Sequence, residues 1–181
     1  ILTRFFETQT MSASTVVPTL SPSMDIQVSS NFERLLFEMN DRDGEATAAQ
    51  LTRFRESRQL SVDATTFGKW IRPVFRGQRC SDAETLAKIA EVHDTYGVLV
   101  DPHTAVGLVA TDACAEPSEP VITLATAHPA KFSDAVKKAT GVTPELPAHL
   151  ADLFDRAERT EMLPNDLAAV QRFVAGAVAS R

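Results

Sequence analysis

Three short runs hold the side chains that could do chemistry. They are Ser21, Ser23 and Asp25 in SPSMD, Asp101, His103 and Thr104 in DPHT, and Thr126, His128 and Lys131 in TAHPAK. The last run offers a hydroxyl, an imidazole and an ammonium within six residues, a set suited to a polar or anionic ligand. The first is dense in hydroxyls, which face solvent in most loops but can also contact an anion or substrate. The four histidines show no HxxxH or HxH spacing, so the pattern does not predict a metal site. No GxSxG, P-loop or GxGxxG occurs, and the seven glycines are scattered, so no glycine-rich loop cradles a phosphate.

The elements around these runs say how they would be presented. Val121 to Ala125 reads as a short buried strand, led in by the turn-forming run Glu116–Pro120. Thr126 then stands at the carboxyl edge of that strand. His128 precedes Pro129 and is pushed toward extended backbone, and Pro129 suits the first position of a helix that runs on through AKFSDAVKKAT. Val98–Val100 is a second apolar strand, ended by Asp101–Thr104 and followed by a helix over Ala105–Ala113. Two strand–helix steps in succession predict an α/β fold with a parallel sheet and crossover helices. Both polar turns would then open on one edge, where ligands of open α/β sheets bind. For Thr126, His128 and Lys131 the plainer alternative is a strand–loop–helix connection whose polar groups only cap and solvate.

The rest of the chain reads as mostly helical. Ile1, Leu2, Phe5 and Phe6 form the stripe of a helix tail, a Ser/Thr/Pro-rich loop follows, and Val16-Val17 could be a short strand. Phe32, Leu35, Leu36 and Met39 share one helical face, and a further helix is expected from about Ala46 to Leu60. Thr65–Arg79 gives no clear pattern, although Phe67, Trp70 and Phe75 read as packing residues. Ser81–Gly97 is the clearest helix, with a Ser81/Glu84 capping box and a glycine exit; Leu86, Ile89, Ala90, His93 and Tyr96 share its inner face. Helices are also expected at His149–Arg159 and Pro164–Ala179, the latter docking through Leu167, Val170, Val174 and Val178.

At 181 residues, 44% hydrophobic and 23% charged, the composition is that of an ordinary globular protein. A net charge of −6 argues against a nucleic-acid surface, and no apolar run approaches the roughly 18 residues that span a bilayer. Cys80 and Cys114 fit no metal or redox spacing, which points to a reducing, cytoplasmic setting. The first residue, Ile1, is not an initiator methionine, so the chain is expected to be cut from something longer.

SPSMDI at 21–26 with SSNFERLLFE at 29–38, DPHTAVG at 101–107 and ATAHPAKF at 125–132 together resemble the carboxyl-terminal part of the threonine synthase family, in its longer bacterial and fungal class. The similarity runs through essentially the whole chain in motif order. It implies a pyridoxal-phosphate enzyme of fold type II, the tryptophan-synthase-β type, that converts O-phosphohomoserine and water to threonine and phosphate. It also implies that Thr126 hydrogen-bonds the pyridine nitrogen of the cofactor. A carboxylate there would hold the ring protonated and make it a strong electron sink; a hydroxyl does so much less. The remaining candidates (Ser21, Ser23, Asp25, Asp101, His103, Thr104, His128 and Lys131) match motif positions at the site edge without an assigned role.

The sequence departs from the family where catalysis would begin. The Schiff-base lysine is expected inside a phenylalanine–lysine–aspartate motif in the amino-terminal half, and Lys69, Lys88, Lys131, Lys137 and Lys138 lie in no such context. No catalytic residue is therefore assigned here, and the chain alone is expected to be inactive, its main partner being the missing amino-terminal half. The alternative is a stand-alone ligand-binding or regulatory module of the same fold. By segment, 1–30 is an entry helix tail and loop, 31–95 a mainly helical segment, 96–132 a strand–helix–strand core with the site-edge turns, and 133–181 carboxyl-terminal helices. All are read as one fragment of a larger catalytic domain.

Overall fold

Aromatic side chains build the first core. The computed structural model describes residues 1–116, 118 and 120–179. Helix α1 (Leu2–Thr8) buries Phe5 completely, and its ring meets Phe32 and Phe67 edge-on at 5.3 and 5.8 Å. Gln9 ends the helix in the left-handed region, its N–H bonded to the Phe5 carbonyl. Strands β1 (Thr10–Ser12) and β2 (Gln59–Ser61) then pair antiparallel, placing Met11 opposite Leu60 with both side chains buried. Leu36 from α2 (Glu33–Met39), Phe54 from α3 (Gly44–Ser57), and Phe67 from α4 (Ala64–Trp70) with Ile71 after it complete this cluster. Asp43 and Asp63 cap α3 and α4 through their carboxylates.

A second, smaller core joins three helices. Ile89 from α5 (Asp82–Tyr96), Ala105 from α6 (Pro102–Cys114) and Val136 from α7 (Ser133–Thr140) are each fully buried, with Leu99, Val100 and Ala139 packed around them. The start of α5 follows the sequence closely: the Ser81 and Glu84 side chains cap each other's backbone, and Gly97 leaves at φ +67°. His93 is partly buried as expected of that face, but Tyr96 is largely exposed.

The expected parallel sheet is not seen. Neither Val98–Val100 nor Val121–Ala125 is a strand, and the only sheet among the described residues is the β1–β2 pair. The physical reason is that a strand exists only by pairing, and no described segment offers either one a backbone partner. The stretch Thr123–Thr126 nonetheless touches α6 at two points. Thr111 and Thr123 join hydroxyls at 2.7 Å, and the Thr126 N–H reaches the Thr104 hydroxyl at 3.3 Å. Seven helical residues rise about 10 Å and three extended residues span about 10 Å, so extended backbone over Thr123–Thr126 would match both contacts. Gly107 lies between them, where a Cβ would come 3.1 Å from the Thr123 methyl. Nor is the segment buried as expected: Ile122 and Leu124 are 86% and 72% exposed. The turn read at Glu116–Pro120 falls partly outside the described residues.

Two further expectations are corrected. Val16-Val17 forms no strand, the pairing being made by Thr10–Ser12 instead. His149–Arg159 is not a helix; it holds only short 3-10 turns at Ala148–Leu150 and Leu153–Asp155. A segment of that length is marginal as a helix without an apolar face to bury, and Phe154 is 83% exposed. In a second compact unit, helix α8 (Leu167–Ala179) forms within the span expected at 164–179.

Because Phe5 is fully enclosed among aromatic rings, Phe5→Ala is expected to cost about 3–5 kcal/mol of unfolding free energy. Urea denaturation followed by circular dichroism would measure it.

Candidate functional site

The amino terminus of α6 is the point where the chemistry-bearing runs meet. Asp101 caps the helix and Pro102 occupies its first position, a pairing that suits both residues. The Asp101 side chain is wholly buried, and its two oxygens accept four hydrogen bonds. Oδ2 takes the His103 N–H at 3.0 Å and the His103 ring at 2.7 Å. Oδ1 takes the Thr104 N–H at 3.2 Å and a short bond from the Thr104 hydroxyl. Burial alone would push this carboxyl up; the bonds from Thr104 and His103 outweigh it and hold the group below the usual carboxylate range.

From that carboxylate the network runs two ways. The His103 ring accepts the Ser23 N–H on Nε2 at 3.2 Å, so its proton sits on Nδ1, facing Asp101. The same ring packs on Phe132 with centroids 4.6 Å apart. On the other side, the Thr104 hydroxyl gives its proton to Asp101 and accepts the Thr126 N–H. SPSMD, DPHT and ATAHPAKF, far apart in the chain, thus share one set of contacts.

The candidates divide by exposure. Asp101, His103 and Thr104 are buried and bonded to one another, so they hold the site together rather than line it. Ser21 is buried, and its hydroxyl meets that of Thr19 at 3.3 Å. Asp25 is spent on its own loop, both oxygens accepting from Thr19 at 2.7 Å, and Asp82 at the start of α5 fixes the same loop through the Leu20 N–H. Ser23 is exposed and contributes its backbone N–H. His128 accepts the Ala130 N–H on Nδ1, capping the 3-10 turn Pro129–Phe132, and the Lys131 ammonium lies 5.6 Å from the Phe132 ring centre. Thr126 is exposed, and its hydroxyl has no hydrogen-bond partner among the described residues.

Two participants escaped the sequence reading, namely Phe132 as the surface under His103 and Asp101 as a helix cap. Asp followed by Pro at a strand end was the available signal for the second. Lys88 is bound by Glu91 and Asp112 at 2.6 Å each, and its ammonium is raised above the ordinary lysine range, first by Asp112 and then by Glu91. No group of three His, Cys, Asp or Glu among the described residues could hold a metal, and no described helix is long and apolar enough to cross a membrane.

The Asp101 carboxyl is lowered in the folded chain, so its share of stability is full above the unfolded value near 3.8 and lost as pH falls through the folded value. Asp101→Asn should cost about 1–3 kcal/mol at neutral pH, because an amide cannot accept from all four donors. It should also flatten the stability loss below pH 4. Urea titrations of both forms across pH 2.5–7 (a span chosen as roughly that window) check both outcomes.

Comparison with known proteins agrees with the convergence of these motifs. Residues 104–174 match the family model for the threonine synthase carboxyl-terminal domain. The chain is 51% identical to threonine synthase of Pseudomonas aeruginosa over 176 residues, which is 96% of this chain but 37% of that protein. Among solved structures, pyridoxal-phosphate-bound threonine synthase of Brucella melitensis superposes with a TM-score of 0.84 at 42% identity, covering 97% of this chain and 38% of the other. The yeast enzyme gives 0.80 at 30% identity, covering 99% and 40%. The chain therefore spans under half the length of the relatives it matches, and within that span it belongs to the threonine synthase family, as their carboxyl-terminal part.

Proposed function

We propose that these residues form the carboxyl-terminal wall of a pyridoxal-phosphate site in a threonine synthase, the lyase that turns O-phosphohomoserine and water into threonine and phosphate. The observation that carries this reading is Thr126, an exposed hydroxyl without a protein partner among the described residues, on backbone tied to the buried cap of α6. A neutral hydroxyl fits a pyridine nitrogen, since it can donate one hydrogen bond without forcing the ring to take up a proton. The cofactor, when bound, supplies the electron sink for the reaction. This chain's part is to hold the ring in place and leave its nitrogen neutral.

The lysine that would bind the cofactor covalently and move protons at the substrate belongs to the amino-terminal portion of such an enzyme. That portion would also supply strands beside Val98–Val100 and Val121–Ala125, completing the parallel sheet and covering Ile122 and Leu124. A cytoplasmic enzyme is consistent with the free thiols of Cys80 and Cys114. Ser21, Ser23, Asp25, Asp101, His103 and Thr104 stand behind or beside the wall, with His128 and Lys131 at its edge.

In the complete enzyme, Thr126→Ala should weaken cofactor binding by about tenfold, the loss of one hydrogen bond in a desolvated site. Thr126→Asp should protonate the ring and alter the reaction course. Titration of apoenzyme with pyridoxal phosphate, followed by fluorescence, tests the first; product analysis tests the second. The 181-residue chain alone should show no threonine formation. Normal cofactor affinity in the alanine variant would refute the assignment.

A further inference from the structure

A hydroxyl can select a ring nitrogen only if the backbone carrying it is fixed, and Thr126 is exposed on a segment with no strand partner among the described residues. Its N–H has one acceptor there, the Thr104 hydroxyl. That hydroxyl has a single proton, and Asp101 Oδ1 takes it. The remaining lone pairs are thereby aimed outward, toward residue 126. Asp101 is in turn locked by His103, whose ring is wedged between the Ser23 N–H and Phe132. The aim of the Thr104 oxygen is thus decided by buried groups, whereas the residue it reaches lies on the surface.

We propose that Thr104 is a positioning residue for the cofactor, acting through the backbone of Thr126 rather than by touching the ring. This rests on the reading of Thr126 given above. Thr104→Val keeps the shape and removes the acceptor; Thr104→Ser keeps the acceptor and removes a methyl. The Thr104 side chain is 5% exposed and makes no approach to solvent that would suit a direct contact. Its effect must therefore pass through residue 126.

The test is a double-mutant cycle in the complete enzyme, with the dissociation constant of pyridoxal phosphate and the exchange rate of the Thr126 amide as readouts. Thr104→Val should weaken cofactor binding about two- to tenfold and speed Thr126 amide exchange, while Thr104→Ser restores both. In the Thr126→Ala background Thr104→Val should add no further loss of affinity. An unchanged dissociation constant in Thr104→Val, or an equal loss in both backgrounds, overturns the proposal while leaving the role of Thr126 intact. If Thr126→Ala itself binds normally, the functional reading and this proposal both fall. Should Thr104→Val not fold, Thr104→Cys carries the test. Its weak acceptor must reproduce the loss, and wild-type affinity and exchange in that variant overturn the proposal.

Discussion

The structure around the candidate site depends on one buried carboxylate. Asp101 is fully removed from solvent and would be a liability without partners, since burying an unpaired charge costs several kcal/mol. Four hydrogen bonds and the amino terminus of α6 make it stable as an anion. Each donor is part of something else: two backbone amides begin the helix, one imidazole reaches back to residue 23, and one hydroxyl reaches forward to residue 126. Satisfying the charge and assembling the site are the same event.

This arrangement explains why residues 101, 103 and 104 resemble site residues in sequence yet sit behind the surface. Polar side chains in a turn are ambiguous until their partners are known. His103 could have been a ligand or base, but its Nε2 is occupied by the Ser23 N–H and its face by Phe132. The hydroxyl of Thr126, by contrast, is exposed and has no hydrogen-bond partner among the described residues. The buried set of Asp101, His103 and Thr104 ties the loops together, and the proposed reading gives the ligand contact to the exposed Thr126.

Local signals were legible. The Ser81/Glu84 box and the Gly97 exit lie within a few residues of one another and need nothing from the rest of the chain. The strand reading of Val121–Ala125 assumed a burial and a pairing that the described residues do not show, and pairing is a property of two segments. The same limit hid the role of Thr104, whose partner is 22 residues away. The expected helix at 149–159 shows the converse error, in which a favourable composition lacked a surface to bury against. The family resemblance rested on short motifs, and the physical reason those motifs occur together is now visible in the contacts around Asp101.

The proposed role of Thr126 rests on the state of the pyridine nitrogen of the cofactor. Pyridoxal phosphate labelled with nitrogen-15 in the ring and bound to the complete enzyme reports that state directly by nuclear magnetic resonance. A neutral nitrogen carrying a hydrogen bond that disappears in Thr126→Ala is the predicted result. A pyridinium signal, or a nitrogen indifferent to the residue at 126, would contradict it.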